Sequence, residues 1–549
     1  MGGIRAPSLA IIALTDTLSG YLVNVSFIIA ACSNWANSPE VTVLSCAGLP
    51  TPAPSSEEFP GPLIARLSDF YGTFFAIRRD LHLITLRDHQ KYGPVIRQGP
   101  NKLVFNSVGA FRDIHQNERI TKSHLYLLGD PSIRNKGVFT AIDRDVHRSR
   151  RKLIGQVISE RSMRNFEPTM TAQIDIFLRQ VLLSSQGLEP EALNMSERCR
   201  YLSFDIVGLL SFGHEFHLQT SSKNRFILQS IEYLSWHANV LFQLPLLSWL
   251  RTGMILNILF FRIQMDTYRL LEAVIKQRLG QGKDEVHDLY SYVADSPQPD
   301  TENLDQSYFR SEASFFLQAG SDTTSTCLSA TFFYLSRDKR CYEELGREIR
   351  STFNSGSEIR SGPTLAKCHY LRACIDEALR MSPPAPGTLW REQYPDDKNS
   401  GPLIIDGHLI PRKTQVGVNI YALHHNEEYF PDSFSYKPER WLTPAGTQTN
   451  DAFAAFLTGP RGCAGKAMAY LEASLVLAKT LWYFDFEPAS GELGKIGMGK
   501  NGSRRGRNRE SEFQIYDIFT ATSDGPYLKF RPRGYYWKDL DEDMQNISE

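Results

Sequence analysis

Phe456-Leu457-Thr458-Gly459-Pro460-Arg461-Gly462-Cys463-Ala464-Gly465 reads as an extended segment that turns through glycines and delivers a cysteine to the start of a helix. The glycines let the backbone approach a flat partner and bring several N–H groups toward one sulfur. The following helix, Lys466 to about Tyr483, points its positive end at Cys463, which favours the thiolate over the thiol. A lone cysteine in such a turn is ordinarily just a small buried side chain. Four stretches upstream decide between these readings.

Ser311 to Ser336 (SEASFFLQAGSDTTSTCLSATFFYLS) is apolar all round, the pattern of a helix buried through the middle of a domain. In its centre Ala319, Gly320, Thr323 and Thr324 form a stripe of small residues. Glycine and threonine are poor choices for a helix interior. The stripe fits a ligand that approaches the helix closely, with threonine hydroxyls bending the hydrogen-bond ladder. Glu377 and Arg380 stand at i and i+3 on a helix from about His369 to Met381, and Pro438-Glu439-Arg440-Trp441 follows. His147 and Arg151, at i and i+4 within Asp143 to Ser159, share one helix face.

Taken together, H-x-x-x-R at His147 and Arg151, A-G-x-D-T-T at Ala319 to Thr324, E-x-x-R at Glu377 and Arg380, P-E-R-W at Pro438 to Trp441 and F-x-x-G-x-R-x-C-x-G at Phe456 to Gly465 resemble the signature motifs of the cytochrome P450 family of haem-thiolate monooxygenases. The resemblance runs from Phe59 to Phe530. It implies a mainly α fold with a small β lobe, and haem b with Cys463 as its axial thiolate, a ligand that pushes electron density into the iron. It further implies Phe456 packed against the ring with Gly459 and Gly465 in the ligand loop, and Arg461, His147, Arg151 and Arg391 at the propionates. Ala319, Thr324, Thr388 and Leu389 would contact substrate. Asp322 and Thr323 would deliver protons during oxygen activation, and Glu377, Arg380 and Arg440 would form a buried ion-pair network behind the haem.

The activity implied is insertion of one atom of O2 into a C–H or C=C bond of a small apolar substrate, with electrons from NADPH through NADPH-cytochrome P450 reductase. FPGP at Phe59, KYGPV at Lys91 and HRSRR at His147 look most like filamentous-fungal members of secondary metabolism. Two other readings stay open: an O2-independent rearrangement or dehydration enzyme of the same family, and a non-catalytic haem-binding protein.

With 549 residues, 42% hydrophobic and 22% charged, the chain can bury a large core and is neither disordered nor fibrous. Its net charge of −1, without a basic stripe interleaved with aromatics, gives no case for nucleic acid. Eight scattered cysteines, with no close pair of the zinc-binding kind, point to reduced thiols in a cytosol-facing compartment. Residues 1–58 read as a leader whose apolar run Leu9 to Cys32, interrupted by Asp16, serves as a membrane anchor. The resemblance puts that anchor in the endoplasmic reticulum membrane with the catalytic domain facing the cytosol. Arg5 ahead of the run, and no further Lys or Arg before Arg66, lend this orientation no charge bias.

The catalytic domain is expected over 59–533 and an acidic, disordered tail over 534–549. Within the domain, Val95 to Phe105 reads as a hairpin, and Phe242 to Phe261 as an apolar roof against the membrane. The six basic residues of Lys495 to Arg509 read as a solvated loop. Phe513–Thr522 and Asp524–Phe530 are expected to pair as a terminal hairpin.

Overall fold

A helix of 32 residues, Gln306–Arg337, runs through the centre of the fold. The computed structural model describes residues 59–129, 137–186, 189–249, 252–282, 288–294, 306–395, 397, 401–442 and 447–540. The proposed anchor lies outside the described residues. From Ser321 to Leu335 every side chain of the central helix except Thr323 is buried. Its hydroxyls tolerate this because each finds a carbonyl one turn back: Ser321 donates to Leu317 O at 2.5 Å, Thr326 to Asp322 O at 2.8 Å, Ser329 to Ser325 O at 2.7 Å and Thr331 to Cys327 O at 2.8 Å. Gly320 has a different cause from the one its sequence context suggests. A Cβ there would stand 2.6 Å from Val207 Cγ2, so the glycine serves close packing on helix Met195–Phe212 rather than approach of a ligand.

Around this axis pack Glu160–Ser185, His369–Met381 and Lys466–Tyr483, sharing one core with Phe177, Phe204, Phe332 and Leu477. Phe226–Gln243 and Thr252–Leu279 lie against each other. The β lobe is a five-stranded sheet in the spatial order Val95–Gly99, Lys102–Phe105, Gln415–Val418, Arg391–Gln393, Ile120–Lys122. The first two strands are the expected hairpin. The last two run antiparallel with Lys122 opposite Arg391, a register that matters for the site.

Three expectations need correction. The terminal hairpin is internal to its first segment: Ile515–Ile518 pairs with Thr520–Ser523 around Phe519, whose φ of 89° makes the turn. Tyr527–Pro532 instead joins Phe484–Pro488 and Leu193–Asn194. The tail is ordered as far as it is described, because Leu540 is buried and its carbonyl accepts from Arg179 Nε at 3.1 Å. The apolar roof is divided: Phe242 and Leu244 are buried, whereas Leu246 and Phe261 are exposed. Among the described residues no helix is long and apolar enough to cross a membrane.

Candidate active site

The cysteine loop is held from both sides. Cys463 N–H donates to Phe456 O at 2.8 Å and Gly462 N–H to Gly459 O at 3.0 Å. Gly459 has φ +73°, and a Cβ there would collide with His115 O at 2.2 Å, so only glycine fits. Gly465 is different: at φ −82° its Cβ would meet no protein atom within 4 Å, so no protein neighbour accounts for it. The Phe456 ring packs at 4.9 Å on Tyr470 of the following helix. The Cys463 surface is uncovered, yet enough protein surrounds it for desolvation to dominate its acidity. That burial pushes the thiol up, while the N–H groups of Gly465 and Lys466 and the charges of Arg151 and Lys466 pull it down. The net direction is upward. The helix end lowers the thiol, as the sequence suggested, but less than burial raises it.

A second feature is a concentration of positive charge. His147 is buried on helix Arg144–Val157, capped by Asp143, with Arg151 one turn on. Arg391 is buried on its strand with Lys122 directly across. Arg461 reaches the same place, donating to Ala141 O at 2.6 Å and Ile142 O at 2.7 Å. These groups act on one another. Burial first, then Arg391, Arg461 and Arg151, holds the Lys122 ammonium well below its usual range. Burial followed by Arg461, Lys122, Arg151 and Arg391 lowers His147 to about 3. Burial and Arg391 bring Arg461 down to about 10. Two carboxylates act against this repulsion, Glu312 on Lys122 and Asp143 on Arg461, without reversing its direction. Lys122 escaped the sequence reading because a single lysine on a short strand carries no motif.

On the central helix, Thr323 Oγ1 donates to Ala319 O at 2.6 Å, and both residues are half-buried on one face. Thr324 is buried at 5% exposure, so the expected substrate contact is not shared equally between Ala319 and Thr324. Asp322 is buried, accepts from Arg200 Nε at 3.0 Å and from Thr520 Oγ1 at 3.4 Å. Burial raises its carboxyl above the ordinary range against the pull of Arg200. Thr388 and Leu389 are half-buried, and Asn419 Nδ2 donates to Thr388 Oγ1 at 3.3 Å. An aromatic wall joins these parts: Phe139 stacks on Phe315 of the central helix at 4.7 Å and meets Phe519 at 5.5 Å, and Phe519 meets Phe242 at 5.5 Å. Sequence offered no signal for this wall, since its members come from four distant segments.

Glu377 and Arg380 are fully buried. Arg380 donates to both carboxylate oxygens of Glu377 at 2.9 Å, while Arg440 Nε, Lys437 N–H and Trp441 Nε1 reach the same carboxylate at 3.0 Å each. Burial would raise Glu377, but Arg380 and Arg440 outweigh it and hold the carboxyl low. Arg380 also donates to His424 O at 2.8 Å, and His424 Nε2 accepts from Ala454 N–H at 2.8 Å. The network thereby grips the chain just before the cysteine loop.

The sequence profile of the cytochrome P450 family matches residues 63–502. Cytochrome P450 monooxygenase AKT7 of Alternaria alternata is 34% identical over 488 residues, covering 86% of this chain and 92% of that protein. Cytochrome P450 monooxygenase poxM of Penicillium oxalicum is 32% identical over 481 residues, 86% of this chain and 90% of its own. Cytochrome P450 monooxygenase apf7 of Gibberella fujikuroi is 32% identical over 510 residues, 87% and 93% respectively. With the cysteine loop, the buried Glu377 network and the Asp322–Thr323 helix in one fold, these matches make the chain a member of the cytochrome P450 family and a monooxygenase.

Proposed function

We propose that this enzyme inserts one oxygen atom from O2 into a C–H or C=C bond of a small apolar molecule of fungal secondary metabolism, drawing electrons from NADPH through a separate cytochrome P450 reductase. The reading includes an endoplasmic reticulum membrane location with the catalytic domain facing the cytosol. The observation that carries the chemistry is the juxtaposition of an uncovered cysteine with Arg151 and a crowd of like charges, Lys122, Arg391 and Arg461, that repel one another.

Members of the family bind haem b through a cysteine thiolate, and the residues present fit that group. Cys463 offers the sulfur, Gly465 leaves space that no protein neighbour explains, and Lys122, Arg151, Arg391 and Arg461 concentrate positive charge suited to two propionates, with the neutral His147 beside them as an N–H donor. Bound haem would supply the oxidising chemistry. The chain supplies the rest. Phe139, Phe315, Phe242 and Phe519 exclude water from the substrate side. Thr323 Oγ1 holds a proton there, and Asp322 Oδ1 exchanges its partner Arg200 for a proton passing inward.

Apolar walls and the apolar face at Ala319 support a hydrophobic substrate, while Asp322 and Thr323 favour O2-dependent turnover over rearrangement, which needs no proton relay. The test is the carbon monoxide difference spectrum of the reduced protein, followed by incorporation of labelled O2 into product with NADPH and a reductase. A thiolate-type band with no label incorporated would leave the haem site standing and end the monooxygenation reading for the substrate tried.

A further inference from the structure

Asp517 is 1% exposed on strand Ile515–Ile518, two positions before Phe519 of the aromatic wall. Its carboxylate is satisfied on one side only. Oδ1 accepts from Phe519 N–H at 3.1 Å and from Asn239 Nδ2 of helix Phe226–Gln243 at 3.1 Å. The first bond holds Phe519 at its φ of 89°, and the second, together with Asn239 Nδ2 to Asp517 O at 3.3 Å, staples the hairpin to the helix. Oδ2 is enclosed and has no hydrogen-bond partner. Leaving a buried acceptor unpaired is costly, most of all when it is charged.

The staple does not need an acid. Both of its side-chain bonds end on Oδ1, and an asparagine oxygen would accept them equally well. The ionisable oxygen is surplus to holding the hairpin.

Space beside that oxygen is also kept free of side chains. Gly387 leads into Thr388 and Leu389, and a Cβ on it would stand 3.1 Å from Asp517 Oδ2 and 3.5 Å from Oδ1. Its φ lies outside the left-handed region, so the backbone makes no demand for glycine there. The three nearest atoms to that Cβ all belong to the Asp517 carboxyl. The hairpin turn at Phe519, the helix that carries Phe242, and the approach to Thr388 therefore meet at one unpaired oxygen.

Charge decides which donor suits it. Burial chiefly, and then Asp80, push the Asp517 carboxyl up to about 7, against the pull of the Phe519 N–H and the Asn239 amide. Asp80 reaches it from the turn before helix Leu81–Tyr92 and is itself paired with Arg507 at 2.8 Å. Arg79 accepts from Asp517 N–H through its carbonyl at 3.0 Å but gives its guanidinium to Glu232. Asn239 and Gly387 bring no charge. A hydroxyl would satisfy Oδ2 and leave the charge uncompensated, whereas a protonated amine supplies both the N–H and the missing cation.

We infer that Asp517 Oδ2 is the recognition point for a protonated amine on an otherwise apolar substrate, with Gly387 keeping side chains out of its approach. This rests on the reading that the pocket takes a small apolar molecule, and it adds one basic nitrogen to that class.

The test is calorimetric titration of the full-length, haem-loaded protein with N,N-dimethyldodecylamine, a cation with one N–H, and with N,N-dimethyldodecanamide, its neutral carbonyl analogue. Wild type should bind the amine more tightly than the amide at about pH 8. Asp517→Asn can keep both bonds of the staple while losing the charge. It should weaken the amine by about 10–100-fold and the amide by less than about threefold, with the carbon monoxide spectrum unchanged. Gly387→Ala, which crowds Oδ2 without removing the charge, should weaken the amine as well. Below about pH 7 wild type should lose affinity for the amine about tenfold per unit, while the asparagine variant stays level. Wild-type protein that binds no amine, or binds it no better than the amide, overturns the inference, as does undiminished amine binding by Asp517→Asn. If the amide instead of the amine responds to Asp517→Asn, the carboxyl is a proton donor to a carbonyl group and the inference also fails. None of these outcomes alters the carbon monoxide band or the incorporation of labelled O2, so the monooxygenase reading is decided separately.

Discussion

Arg200 on helix Met195–Phe212 donates through Nε to Asp322 Oδ1 at 3.0 Å, tying a buried acid of the central helix to a neighbouring helix. The same guanidinium stands 3.6 Å from Glu232, which pairs with Arg79 at 2.8 Å. Alternating charges thus run from Asp322, 3% exposed, to Arg79 and Glu232, which keep 36% and 27% of their side-chain surface. Neither Arg200 nor Glu232 belongs to a sequence motif.

Arg200 is the chief influence that lowers the Asp322 carboxyl against burial. Arg200→Ala should therefore raise it further, so that the carboxylate is protonated over a wider acidic range. If turnover uses the carboxylate, the acid limb of the kcat profile moves to higher pH, and Arg200→Lys moves it part of the way back. Steady-state rates across pH with substrate saturating would read this. An unmoved limb in Arg200→Ala would separate Asp322 ionisation from the rate.

The Glu377 network makes a sharper claim about stability. Removing one partner of a fully buried pair leaves the other charge uncompensated, at a cost of about 3–5 kcal/mol. Glu377→Gln and Arg380→Met should each lower the urea midpoint strongly and yield protein poor in haem. Arg440, 12% exposed on its side chain, has a route to solvent, and Arg440→Met should cost clearly less. Haem-replete Glu377→Gln protein of normal stability would contradict the burial seen here.

Much of this was legible before any coordinates. The central helix, the His369–Met381 helix and the cysteine helix follow from apolar periodicity and from the prolines and glycines that bound them. The motif residues His147, Arg151, Glu377, Arg380, Arg440 and Cys463 stand out only through the resemblance to the family's motifs, since spacing alone leaves each with an ordinary structural reading. What sequence could not supply is long-range pairing. Lys122 joins the cationic cluster only through its register with Arg391, Phe519 reaches Phe139 only through a tight turn, and Gly320 answers to Val207 on another helix. The thiol of Cys463 shows a related gap, because helix polarity is local while desolvation depends on everything packed around it.

The cationic cluster can be tested without turnover. In haem-free protein Lys122 is buried among like charges, offset by Glu312 and by the Phe139 carbonyl it donates to, so Lys122→Met should change stability by no more than about 1–2 kcal/mol in either direction. In haem-loaded protein the same substitution removes a cation from the propionate side, and haem should pass to a globin acceptor faster than from wild type. Slower or unchanged transfer would remove Lys122 from the haem site.

Glu472 supplies a pH dependence of defined sign. Burial raises it from 4.5 to about 7, and Ser203 Oγ donates to it at 2.6 Å. A carboxyl raised in the fold favours the protonated native state, so this stability is complete below the unfolded pKa and is lost as pH rises through about 7. Each unit of that window costs about 1.4 kcal/mol. Glu472→Gln keeps a partner for Ser203 and carries no charge, so it should be more stable than wild type at pH 8 by roughly 1–3 kcal/mol and equal to it near pH 4.5. Urea denaturation at the two pH values reads the difference. A parallel offset at both would show that the glutamate ionises alike in the folded and unfolded chain, so that burial does not raise it.

Thr323 carries the most informative prediction. Its hydroxyl donates to Ala319 O at 2.6 Å, which satisfies it within the helix, yet it is the one residue between Ser321 and Leu335 that is not buried. A hydroxyl that turns away from Ala319 can offer its proton across the open face, and the Ala319 carbonyl then takes an ordered water in its place. Positioned proton transfer of this kind contributes about 10²–10⁴-fold to a rate. Thr323→Val keeps the β-branched shape and removes the proton. It should retain haem content, the carbon monoxide spectrum and substrate affinity, while product per NADPH falls steeply and hydrogen peroxide rises. Thr323→Ser should restore most of the coupling. A purely structural threonine, present to bend the helix, predicts the reverse: altered substrate affinity with coupling intact. Coupled turnover in Thr323→Val at the wild-type ratio would end the relay assignment and return weight to an O2-independent reaction.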